Sequence, residues 1–81
     1  MNRYQLTIKV DDKQVVLERI LQVTRYRGFL VDGLHAEVNT GTQVGTIVLH
    51  VRSSRPIELL ADQINKLIDI KDVQINKTLA E

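Results

Sequence analysis

The chain has no cysteine, no tryptophan, one proline, four glycines and three aromatic residues, and its charges nearly cancel at a formal +1. Without cysteine there is no disulfide framework and no thiolate chemistry. The two histidines, His35 and His50, cannot alone complete a structural zinc site. A metal cofactor is therefore not expected in this chain. A near-zero net charge gives no general attraction to nucleic acid or to an anionic membrane. No stretch approaches the roughly 18 to 20 consecutive apolar residues that a membrane span requires. The N-terminus, Met-Asn-Arg-Tyr-Gln-Leu-Thr, enters an alternating pattern at once, which makes the cytoplasm the expected compartment. The 81 residues are read as one domain, 1–81, with a core over about 4–77 and a short C-terminal tail. At this size only about 60 to 65% of the unfolded surface is buried, so the core is thin and association would support it.

What is present is periodicity. Tyr4, Leu6, Ile8 and Val10 alternate with Gln5, Thr7 and Lys9, the period of a strand with one buried and one polar face. Asp11-Asp12-Lys13-Gln14 breaks the alternation at capping-box spacing, with either aspartate placed to cap a helix that starts near Lys13. The apolar stripe of that helix is Val16, Leu17, Ile20, Leu21 and Thr24, and Gly28 stands where a left-handed stop is wanted, with Arg25 and Arg27 near the negative end of the dipole. Residues 29–39 read as a second strand, but Phe29 and Val31 differ in parity from Leu30, Leu34, Ala36 and Val38, and Gly33 suggests a bulge. Asn39-Thr40-Gly41-Thr42 is a turn, and 45–51 returns as a strand with Ile47, Leu49 and Val51 on one face. Ser53-Ser54-Arg55-Pro56 opens a second helix. Its stripe runs through Ile57, Leu60, Ala61, Ile64, Leu67 and Ile68, and the pattern ends at Ile70. A short last strand carries Val73 and Ile75, and 78–81 is a loose tail.

The order βαββαβ with right-handed crossovers predicts an α+β, ferredoxin-like sandwich: a four-stranded antiparallel sheet, first and third strands central, both helices on one face. The open face would carry Gln5, Thr7, Lys9, Gln74 and Asn76, with Val48, His50, Phe29 and Val31 added by the hairpin. An amphipathic half-face and an unprotected second strand predict a homodimer, through strand-two edges or sheet faces. Fold alone does not give function. An RNA-binding sandwich stacks bases on aromatics of its central strands, whereas the third strand here is Thr46-Ile47-Val48-Leu49-His50-Val51. A metal chaperone of this shape would carry Cys-x-x-Cys in the first loop. An acylphosphatase-like enzyme would cradle phosphate there, where Asp11 and Asp12 instead repel anions.

The pieces Leu17-x-Arg19-Ile20, Arg27-Gly28-Phe29-x-Val31-Asp32-x-Leu34 and Lys66-Leu67-Ile68-Asp69-Ile70-x-x-Val73 resemble the ACT domain of acetolactate synthase (acetohydroxyacid synthase) regulatory subunits. The resemblance covers about 4–77, and a chain that stops after one such domain is most similar to the isozyme II type of small subunit. It implies a subunit without its own active site that binds and activates a catalytic subunit carrying thiamine diphosphate, Mg and FAD. That enzyme joins pyruvate to pyruvate or 2-oxobutanoate, early in valine, leucine and isoleucine synthesis. In valine-sensitive members the effector sits at an ACT dimer interface, between the loop after strand one and strand two of the neighbour. The family's loop asparagine falls at Asp12, its loop glycine at Val15 and its strand-two asparagine at Leu30, while Leu17 and Val31 match the apolar part of the pocket. An aspartate repels the effector's carboxylate, a valine obstructs its approach to backbone donors, and Leu30 offers no hydrogen bond. The resemblance therefore implies a degenerate pocket and weak or absent valine inhibition.

Plainer roles stand beside these. Gly28 serves as a helix stop, Asp11 and Asp12 as caps, and Arg19, Arg25 and Arg27 as a solvated helix face or a basic docking surface. His35 and His50 would face each other across the hairpin and make the domain pH-sensitive. The alternative to a regulatory subunit is a free-standing ACT module that senses an amino acid, which predicts ligand-dependent stabilisation of the isolated dimer.

Overall fold

The computed structural model describes residues 2–11, 14–39, 44–67 and 70–77, with 14–16, 38, 39, 44 and 77 described by backbone alone. The elements are β1 (Asn2–Asp11), α1 (Gln14–Tyr26), β2 (Leu30–Asn39), β3 (Val44–Ser53), α2 (Ile57–Asn65) and β4 (Ile70–Lys77). The sheet order is β2-β3-β1-β4, all pairs antiparallel, so β1 and β3 are central as the crossover argument requires.

Alternation builds the core. Leu6, Ile8 and Val10 of β1 and Ile47, Leu49 and Val51 of β3 point to the same face, where Ile20 of α1, Phe29, and Ile57, Leu60, Ala61 and Ile64 of α2 close over them. Leu17, Leu21, Val23, Leu67, Val73 and Ile75 pack around this cluster. Each fully buried aliphatic or Phe side chain contributes about 1.5 to 3 kcal/mol, which offsets the entropy of ordering so short a chain. Thr24, also buried, donates its hydroxyl to the Ile20 carbonyl at 2.7 Å, so the polar atom in the α1 stripe is satisfied within its own helix.

Three expectations need correction. Phe29 is buried at 2% exposure in the core and does not join the open face. Val31 pairs with Val51 and so stands on the helix side as well. The cause is a bulge: β2 pairs Val31 with Val51 and Gly33 with His50, leaving Asp32 as the extra residue. Because one residue is inserted, Val31 and then Leu34 and Ala36 share the helix-side face, which resolves the parity conflict in the sequence. Second, α2 stops at Asn65, short of Ile70. The Lys66 and Leu67 amides bond to the carbonyls of Gln63 and Ile64, tightening the last turn, and Ile70 is already paired with Val10 in β4. Third, Asp11 does not break the strand but ends it, paired with Val44, with its carboxylate 3.4 Å from Lys71. Asp12, Lys13 and the tail 78–81 lie outside the described residues.

Candidate functional site

The positions that the resemblance marks for an effector fall at the two ends of α1. Val15 lies in its first turn, Leu17 is half-buried against the core, and Asp12 lies outside the described residues. Leu30 and Val31 begin β2, just past the other end of the helix. A helix of 13 residues spans about 20 Å. Within one protomer the two halves are therefore not brought together, and any site combining them needs the β2 of a second chain.

The start of β2 is held by a specific link. Gly28 has φ +85°, which reverses the chain after α1, and the Phe29 amide bonds to the Thr24 carbonyl. The hydroxyl of Ser53 donates to the Gly28 carbonyl at 3.1 Å and accepts from the Arg55 amide at 3.0 Å. One buried serine thus ties the α1–β2 turn to the β3–α2 turn. Pro56 is the N-cap of α2, with no side chain capping the helix, so Ser53 acts across the domain and not on the helix. Beside it Arg52 Nε reaches Asp32 Oδ1 at 2.7 Å, pinning the bulged residue. Sequence reasoning singled out neither Arg52 nor Asp32 as an ion pair. The bulge hint at Gly33 was the one signal pointing there.

The edge of β2 is open and apolar. Leu30 is 49% exposed on the helix-free face, and Val31 and Leu34 are each 37% exposed on the helix side. The histidines do not face each other: His50 stands opposite Gly33 and His35 opposite Val48, with the His35 ring 3.8 Å from Glu37. Direct pairing of the two histidines would need a register two residues further on than the one that follows the bulge.

Residues 12–73 match the ACT domain family. The chain is 36% identical over 75 residues to the acetolactate synthase isozyme 2 small subunit of Escherichia coli K12, covering 93% of this chain and 86% of that protein. The chain belongs to the ACT-domain family. It is a homologue of the acetolactate synthase small subunit, and the Shigella flexneri isozyme 2 small subunit matches equally. Among solved structures, the acetolactate synthase small subunit of Thermotoga maritima superposes with a TM-score of 0.79 at 18% identity, over 93% of this chain and 47% of that one. The ACT domain of the Chlorobium tepidum GTP pyrophosphokinase superposes equally well, at 14% identity over 93% and 97%. At those identities the superpositions establish the ACT fold alone. In the ACT domain of this chain no helix of the described residues is long and apolar enough to cross a membrane.

Proposed function

We propose that this chain is the regulatory subunit of an acetolactate synthase: it binds a thiamine-diphosphate-dependent catalytic subunit in the cytoplasm, raises its activity, and does so without valine inhibition. The observation that carries this reading is the 36% identity to isozyme 2 small subunits across 93% of the chain and 86% of theirs. Two chains pair through the β2 edge, whose unpaired backbone and exposed Leu30, Val31 and Leu34 suit strand addition. The effector pocket that such pairing would form is degenerate. Leu30 brings no hydrogen-bonding group to it, Asp12 carries the charge sign of the carboxylate it would meet, and Val15 adds bulk beside the backbone. As an activator without chemistry of its own, the subunit acts by binding the active conformation of its partner more tightly than the inactive one.

The test is acetolactate formation by the cognate catalytic subunit, with and without this chain, repeated in the presence of valine. The expected outcome is activation that valine leaves intact. Activation abolished by valine would overturn the lost-pocket part alone. Absence of activation would overturn the regulatory reading, and stabilisation of the isolated dimer by an amino acid would then favour a free-standing sensor.

A further inference from the structure

We propose that the end of the sandwich where α1 stops and α2 starts is the surface that docks the catalytic subunit, and that it takes an acidic patch with an apolar centre on that partner. The proposal rests on the regulatory-subunit reading above.

Topology gathers six segments at this end: the start of β1, the end of β3, the start of β2, the end of β4, the last turn of α1 and the first turn of α2. The register fixes it, with Asn2 opposite Ser53, Arg3 opposite Arg52, and Leu30 opposite Arg52 on the other side. Five of the six arginines, Arg3, Arg25, Arg27, Arg52 and Arg55, lie on these segments or on the turns that join them, and Arg19 is the exception. The acids there are Asp32, engaged by Arg52, and Glu58 in the first turn of α2. At the opposite end Asp11, Glu37 and Asp72, placed by their pairing with Val44, Thr46 and Lys9, are balanced by Lys9, Lys66 and Lys71. A chain with a formal charge of only +1 is thus polarised along its length.

The composition of the end points to a protein partner. Tyr26 is 83% exposed, with the Arg27 guanidinium 5.5 Å from its ring centre, and Leu59 is half exposed. Arginine and tyrosine are enriched in protein interfaces and lysine is depleted, and of the described lysines Lys9, Lys66 and Lys71 lie away from this end while Lys77 alone, opposite Tyr4, reaches it. An exposed leucine beside the guanidiniums would be wasted on a phosphate backbone. The surface is also partly ordered in advance, by the Ser53 link and the Arg52–Asp32 pair, which lowers the cost of docking. A second copy is the wrong occupant. End to end it would oppose arginine to arginine, and head to tail it would build an open filament in place of a closed assembly.

The experiment titrates the purified chain into the catalytic subunit and reads the half-activating concentration at two salt concentrations, for the wild type, Arg25→Gln/Arg27→Gln, Arg55→Gln and Lys66→Gln. Circular dichroism melts confirm folding, and the double variant carries the test if Arg55→Gln folds poorly. Expected are a rise of about tenfold or more in half-activating concentration for the arginine variants, a weaker salt dependence, unchanged maximal activation, and Lys66→Gln within about twofold of the wild type. Wild-type-like titrations of both arginine variants would overturn the docking end while leaving the regulatory reading intact. A wild type that neither binds nor activates the catalytic subunit would overturn both. Binding of a mixed-sequence oligonucleotide that is lost in the double variant, with activation unaffected, would assign the arginines to nucleic acid and overturn the proposal.

Discussion

Gly28 shows how much one residue decides here. Its φ of +85° belongs to a region that side chains enter at a cost, and a Cβ added there would meet Arg55 Nε at 2.9 Å. The two penalties are separable, because an arginine tip can swing away and a backbone angle cannot. Gly28→Ala is expected to lower stability by about 1 to 2 kcal/mol, measured by urea denaturation at fixed protomer concentration. Combining it with Arg55→Ala is expected to recover little of that loss. Full recovery in the double variant would mean that the contact, and not the backbone angle, is what requires glycine.

Among the elements, the link between the α1–β2 and β3–α2 turns carries a disproportionate load for a single hydroxyl. Ser53 is 3% exposed, and Ser53→Ala leaves the Arg55 amide and the Gly28 carbonyl without that partner. The expected cost is about 1 to 2 kcal/mol. Amide exchange at Arg55 should accelerate by more than at Leu6 and Leu49 in mid-sheet; uniform acceleration would show that the link is no more than part of global stability. Nothing in Ser53-Ser54-Arg55-Pro56 announced this role, since a serine before a helix ordinarily caps it, and the true acceptor lies 25 residues away in sequence. Elements whose period was clean, such as Leu6-x-Ile8-x-Val10 and Ile57 to Ile64, were legible as they stand. The end of α2 was not, because Leu67 still packs on the core after the helix has closed, and periodicity reads packing and not hydrogen bonding. Phe29 was misplaced for a related reason: parity is continuous in sequence, and the bulge at Asp32 interrupts it. Of the candidate site, Leu17, Leu30 and Val31 could be named from their positions in the resemblance, but their separation along α1 is visible only in three dimensions.

For the whole molecule the open question posed by the fold is how the β2 edge is covered. Leu34, 37% exposed on the helix side of that edge, would be buried in the proposed pairing of two chains. Leu34→Glu should raise the dimer dissociation constant by about tenfold or more, read by sedimentation, with an unchanged circular dichroism spectrum. A variant that stays fully dimeric would move the interface to the helix-free face. A separate consequence follows from the strand order. β1, the first strand to be synthesised, bonds along one edge to β3 and along the other to β4. On the ribosome it therefore waits for residues 44–53 before it has any partner, and for 70–77 before its second edge is filled. Such long sequence separations delay pairing, so the nascent domain should become protease-resistant only once β4 has left the exit tunnel. Stalled chains that resist protease before β4 emerges would contradict this order of events.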